Sequence, residues 1–110
     1  MVRYATRDDL IAWFGEVPAT MRAIVVEHDG AIQCVAGIAR AGDHLQAFSS
    51  FTELMRSHRY VLAKVAMKFK EMLKDYGTVF AICSDVEPTA PDLLSKVGFV
   101  HVQERLWRHG

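Results

Sequence analysis

Three residues able to carry positive charge, Arg56, His58 and Arg59, fall within four positions of one another, with Ser57 between them, just ahead of a strongly periodic helical segment. Guanidinium groups bind phosphate bidentately, and a helix start adds unpaired N–H donors and a positive dipole end, so the cluster has the chemistry of an anion site. A solvated, charged helix start is the plainer account of the same residues. Elsewhere the reactive side chains are sparse. Asp85, following an apolar strand-like run, has the chemistry of a general base, or of a carboxylate that closes a turn. His44 follows Gly42-Asp43 in a turn, where solvation is the plain expectation, and Ser49 lies five positions further on.

The remaining candidates have structural explanations. Cys34 and Cys83 sit inside apolar runs, Ile32 to Ala36 and Phe80 to Cys83, where a thiol behaves as a small core hydrophobe. Two cysteines without clustered histidines make no zinc pattern, and no metal is expected. Lys64, Lys68, Lys70 and Lys74 alternate with Glu71 and Asp75 as a solvated helix face does, without the interleaved aromatics that stack bases. Thirteen basic residues balance thirteen acidic ones, so no global field collects nucleic acid or an anionic membrane. No apolar run approaches the ~18 residues that cross a bilayer, and Met1 to Thr6 contains no signal-peptide core. Neither a nucleic-acid nor a membrane partner is expected, and the cytoplasm is the expected location.

The elements that must position these residues follow from pattern. At 110 residues and 51% hydrophobic content the chain can bury one core and is expected to form one domain, residues 1–110. A first strand spans Val2 to Thr6, and Thr6 can cap a helix over Arg7 to Phe14 that stops at Gly15. Strands at Met21–Glu27 and Ala31–Ala39 flank His28-Asp29-Gly30, where Asp-Gly supplies the positive φ angles of a hairpin turn. His44 to Phe51 forms a further strand. From Tyr60 to Tyr76, Leu62, Val65, Ala66, Phe69, Met72, Leu73 and Tyr76 share one helical face, and Gly77 ends the helix. A strand over Thr78–Cys83, a helix over Pro91–Val97 closing on Gly98, and a single last strand from Phe99 to Trp107 complete the series. The order β, α, β, β, β, α, β, α, β implies a mixed α/β sheet with helices on both faces.

This order, with a long helix after the fourth strand and Leu93-Leu94-Ser95-Lys96-Val97-Gly98-Phe99 near the end, resembles the GNAT N-acetyltransferase family over essentially the whole chain. More narrowly, the stretch from Gln46-Ala47-Phe48-Ser49-Ser50 to Lys96-Val97-Gly98-Phe99 is similar to small acetyltransferase-like proteins of tailed bacteriophages, a group that includes an internal virion protein. The resemblance implies a GNAT-like, mostly antiparallel mixed sheet. It also implies acetyl-CoA bound where the fourth and fifth strands splay apart, against Phe48, Ser49 and Ser50, with its diphosphate at Arg56, Ser57, His58 and Arg59. His44 and Asp85 become the candidate catalytic side chains. The sequence departs from the family pattern in three places: the loop from Glu53 to Tyr60 has no glycine, and Glu87 and Leu94 stand where the family often has an asparagine and a proton-donating tyrosine. Leucine cannot act as a general acid. Two readings follow: an acetyltransferase-like protein passing acetyl to an amine, or a catalytically inactive GNAT-fold protein with a structural or host-interaction role, expected to bind a protein partner or itself.

Overall fold

The computed structural model describes residues 1–16, 20–82 and 94–110. They build a seven-stranded mixed sheet from β1 (Val2–Tyr4), β2 (Met21–His28), β3 (Ala31–Ala41), β4 (His44–Phe51), β5 (Val79–Ile82), β6 (Val100–Gln103) and β7 (Leu106–His109). The spatial order is β1-β2-β3-β4-β5-β7-β6, and only the β4–β5 pairing is parallel. The helices are α1 (Arg7–Phe14), α2 (Glu53–Arg56) and α3 (Arg59–Leu73), and residues 94–96 are helical as well. None is long and apolar enough to cross a membrane.

Turn chemistry sets the first half of the sheet. Asp29 and Gly30 both adopt positive φ, 52° and 78°, which matches the right-handed twist of the flanking strands and closes the β2–β3 hairpin. Gly42, at φ 65°, leads the next two-residue turn, so β3 runs two residues beyond its expected end and pairs Ala41 with His44. The end of the chain departs from expectation. Instead of one strand from Phe99 to Trp107, β6 and β7 form a hairpin that reverses at Glu104-Arg105, with Glu104 at φ 46°. In α3 the last residues expected to be helical, Lys74 to Tyr76, leave it through N–H bonds to the carbonyls three residues back, a tightening common at helix ends.

Side chains alternate between two separate clusters. Ile24 and Val26 of β2, with Cys34, Ala36 and Ile38 of β3, pack with Val65, Phe69, Met72 and Leu73 of α3 and with Val97 and Phe99. Ala23, Val25 and Val35 belong to a second cluster with Leu10 of α1, against which Trp13 and Phe48 pack. The expected apolar face of α3 is the one that packs, Leu62, Ala66 and Tyr76 lying at its margin. Burial pushes the Cys34 thiol up to about 11, so it stays protonated and unreactive; Cys83 lies outside the described residues. Two lysines of α3 lie over aromatic rings, Lys64 over Tyr60 and Lys68 over Tyr4.

The start of α1 is the most heavily bonded point of the N-terminal region. Thr6 and Asp9 form a capping box, and the Asp9 carboxylate also receives both guanidinium nitrogens of Arg3, at 2.5 and 3.0 Å, while Arg3 reaches Glu27 at 3.1 Å. The Arg3 guanidinium, then the Thr6 backbone N–H, hold the Asp9 carboxyl well below the usual carboxylate range. In the unfolded chain the same group takes up a proton near pH 3.9. The folded state therefore binds fewer protons in acid, and the stabilisation is complete above about pH 4 and drains as pH falls further. Replacing Asp9 by Asn is expected to cost about 1 kcal/mol at pH 7, measured by urea unfolding, and markedly less at pH 3.

Candidate functional site

The parallel ladder between β4 and β5 is short. Among the described residues it pairs Leu45 with Val79, Gln46 with Phe80 and Ala47 with Ala81, while β4 continues to Phe51 with β3 still paired along its other edge. Among the described residues no strand pairs with Phe48, Ser49 or Ser50 on the β5 side. Ser49 and Ser50 are exposed, on opposite faces of the strand. Phe48 packs edge-on against Phe14 of α1, ring centres 6.0 Å apart.

The same end of β4 leads into a tight corner. Thr52 bonds back to Gln33 through both its backbone N–H, at 3.0 Å, and its hydroxyl, at 2.9 Å, which fixes where α2 begins. Met55 anchors α2 in the core. Ser57 and His58 then turn the chain into α3. The Ser57 hydroxyl donates to the Leu54 carbonyl at 3.0 Å, and His58 Nδ1 donates to the same oxygen at 2.6 Å, which leaves its Nε2 directed elsewhere. His58 is the N-terminal cap of α3 with φ −104° and ψ 66°, and no side chain caps this end. The first intrahelical bond is from Leu62 N–H to the His58 carbonyl, so the N–H groups of Arg59, Tyr60 and Val61 are the free donors of the helix start. Ser57, His58, Arg59 and Tyr60 are all exposed beside them.

The structure thus places Phe48, Ser49 and Ser50 on β4 past its last described rung with β5, and Ser57, His58 and Arg59 beyond the same strand end. The backbone of Arg56 closes α2, and its side chain lies outside the described set, as do Asp85 and Glu87. His44 is not brought to this group. It begins β4 at the fully paired end, roughly 13 Å from Phe48 at the rise of an extended strand, with Nδ1 3.4 Å from Asp43 and its ring edge-on to Phe80. Leu94 packs against the core and supplies no proton donor. Among the described residues no group of three His, Cys, Asp or Glu side chains is placed to hold a metal ion.

Sequence reasoning missed an apolar rim at this gap. Ile82, read as part of a buried strand, is 58% exposed where β5 passes the end of the ladder, and Phe14 is 38% exposed beside Phe48. Their one sequence signal is the twofold period that puts Phe80 and Ile82 on one face and Val79 and Ala81 on the other. Trp107, by contrast, is half-buried, packed on the core with the His101 ring tilted against it at 5.1 Å.

No family model matches this sequence, and no curated protein does either. Five solved chains match it by structure. Among them is a protein of Bordetella pertussis assigned to the GnaT family of acetyltransferases, with a TM-score of 0.64 over 94% of this chain and 71% of that one, at 10% sequence identity. The chain has the GNAT acetyltransferase fold.

Proposed function

We propose that this chain is an acetyltransferase-like protein that binds acetyl-CoA between β4 and β5, the diphosphate lying at the start of α3. One observation carries the reading: among the described residues the last β4–β5 rung is Ala47 with Ala81, while β4 runs on to Phe51 and leads through α2 to the uncapped start of α3. The donor set fits the ligand. Arg59, Tyr60 and Val61 present N–H groups to an anion, the Arg59 guanidinium and Ser57 hydroxyl flank them, and the free edge of residues 48–50 matches the amides of an extended arm. Because Ser57, His58 and Arg59 carry side chains where glycines would let the backbone close on the phosphates, charge supplies more of the affinity and salt weakens it. Helices flanking both faces belong to the same reading, supported by the separate clusters under α1 and α3.

Calorimetric titration with acetyl-CoA and with free CoA tests this. Saturable binding in the micromolar range is expected, and Arg59→Ala is expected to weaken it about tenfold, the worth of one charge-assisted hydrogen bond. Arg56→Ala measures the neighbouring guanidinium. Unchanged affinity in both variants would remove the site.

When bound, the thioester supplies an activated acetyl group; this chain's part is to orient it and to manage protons. Leu94 favours a second reading for that last step. A leucine packed into the core cannot protonate a departing thiolate, which fits a GNAT scaffold without turnover that serves as a structural or host-interaction protein, as the phage-type resemblance implies. Release of free CoA thiol in the presence of an amine panel separates the two: thiol release above the protein-free rate supports transfer, and binding without release supports the scaffold.

A further inference from the structure

The face of the gap turned away from α3 carries an apolar surface larger than an acetyl group needs. Val79 and Ala81 of β5 and Leu45 and Ala47 of β4 are taken up by the core, so alternation turns Phe80 and Ile82, with Phe48, to the opposite face. Register places Leu106 of β7 beside Ile82. Phe14 of α1 completes the set through its ring contact with Phe48. These five side chains are uncharged. Three of them, Phe48, Phe80 and Leu106, are half-buried, and the other two are exposed, Ile82 the more so at 58%. The second core cluster includes Phe48 but neither Phe80, Ile82 nor Leu106, so α1 does not cover this part of the sheet.

Position relates the surface to the gap. Phe48 and Ile82 are the first residues past the last paired rung, Ala47 with Ala81. A group carried inward along the open edge of β4 stops where the ladder closes. There Ala47 and Ala81 face the α3 core, while Phe48 and Ile82 face the other side, where Ile82 is exposed. An acetyl group would cover little of it, whereas a chain of several carbons would remove both acyl and protein surface from water.

We propose that the preferred ligand is a CoA thioester with an apolar acyl chain of about six carbons, seated across Phe48 and Ile82 with Phe14, Phe80 and Leu106 around it. This rests on the CoA-binding reading and adds the identity of the acyl group. The expected effect follows from burial. Each methylene fully removed from water is worth about fourfold in affinity, and on a partly open face the four that separate hexanoyl from acetyl are expected to give about tenfold.

The test is a calorimetric series with free CoA, acetyl-CoA, butyryl-CoA and hexanoyl-CoA, repeated on Ile82→Asn, a change at a solvent-facing position. Affinity rising stepwise to about tenfold at hexanoyl, with the rise shrinking to less than threefold in Ile82→Asn, is the expected result. Equal affinity for all four ligands in the natural protein would overturn the acyl proposal and leave CoA binding intact. A rise that persists undiminished in Ile82→Asn would put the chain elsewhere and also overturn it. Failure of every ligand, free CoA included, would remove both the CoA reading and the proposal built on it. The chain-length series on the natural protein keeps the proposal falsifiable even if Ile82→Asn does not fold.

Discussion

Gly37→Ala is expected to lower the stability of the protein by about 3 kcal/mol, although it adds one methyl group. Gly37 lies in the middle of β3, between Ala23 of β2 and Phe48 of β4. A Cβ built there would stand 2.5 Å from the Arg22 carbonyl oxygen, 2.8 Å from the Ala23 Cβ and 2.9 Å from the Ala23 Cα. Two of those three atoms are backbone, held in the sheet's ladder, so no side-chain rotation relieves the clash. Replacing glycine also removes freedom from the unfolded chain, which stabilises by about 0.4–1 kcal/mol where the native site accepts Ala. Here the site does not accept it, and the steric term wins. Thermal melting should show a drop of roughly 12–20 °C for a domain of this size. A shift under 3 °C would mean that β2 and β3 can part without cost. Since Phe48 is the neighbour across β4, CoA affinity is expected to fall with the fold.

Leu73→Ala is the second large effect, of about 3–4 kcal/mol. Leu73 is fully buried and ends α3 inside the main cluster, beside Met72, which is equally buried. Truncation removes three carbons from a site where helix, sheet and the Val97–Phe99 segment converge, so a cavity remains. That sets the cost above the transfer term alone, which for three carbons is about 2.4 kcal/mol. The measurement is the urea midpoint at constant m-value; a change below 1 kcal/mol would mean the neighbours collapse into the space. Leu73→Met keeps the volume and should lose less than about 1.5 kcal/mol.

These two residues also mark what could be read from the sequence. Leu73 was legible because the period of α3 repeats over four turns, and each repeat strengthens the same assignment. Thr6, Gly15 and Asp29-Gly30 were legible because capping and turn chemistry are local. Gly37 gave no such signal: its requirement comes from Ala23, fourteen positions away, and exists only once the strands are in register. The single turn of α2 is too short for a period to show, and the β6–β7 reversal uses Glu104 at positive φ where glycine or asparagine would have announced it.

The site divides in the same way. That Ser57, His58 and Arg59 lie at the start of α3 was legible because a helix start can be read locally. Which part of β4 lies beside β5 could not be, since that pairing joins residues more than thirty positions apart, as Gln46 with Phe80. His44 and Ser49 therefore looked alike as neighbours of the gap, though only Ser49 lies beside it. The exposure of Ile82 was hidden for a related reason: a short apolar strand reads the same whether one face or both are covered.

The lone parallel rung set between β4 and β5 also has a meaning during synthesis. The turns at Asp29-Gly30 and Gly42-Asp43 join neighbouring strands directly, whereas β5 reaches β4 only after residues 52–78 have looped round through α3. Closing the longer loop costs about 2 kcal/mol more in chain entropy. The first four strands can thus condense while the later ones are still emerging from the ribosome, and until α3 has formed, the outer edge of β4 stands bare along its whole length from His44 to Phe51. The edge proposed to take the ligand in the finished protein is, in the nascent chain, the place where another unfinished copy would pair.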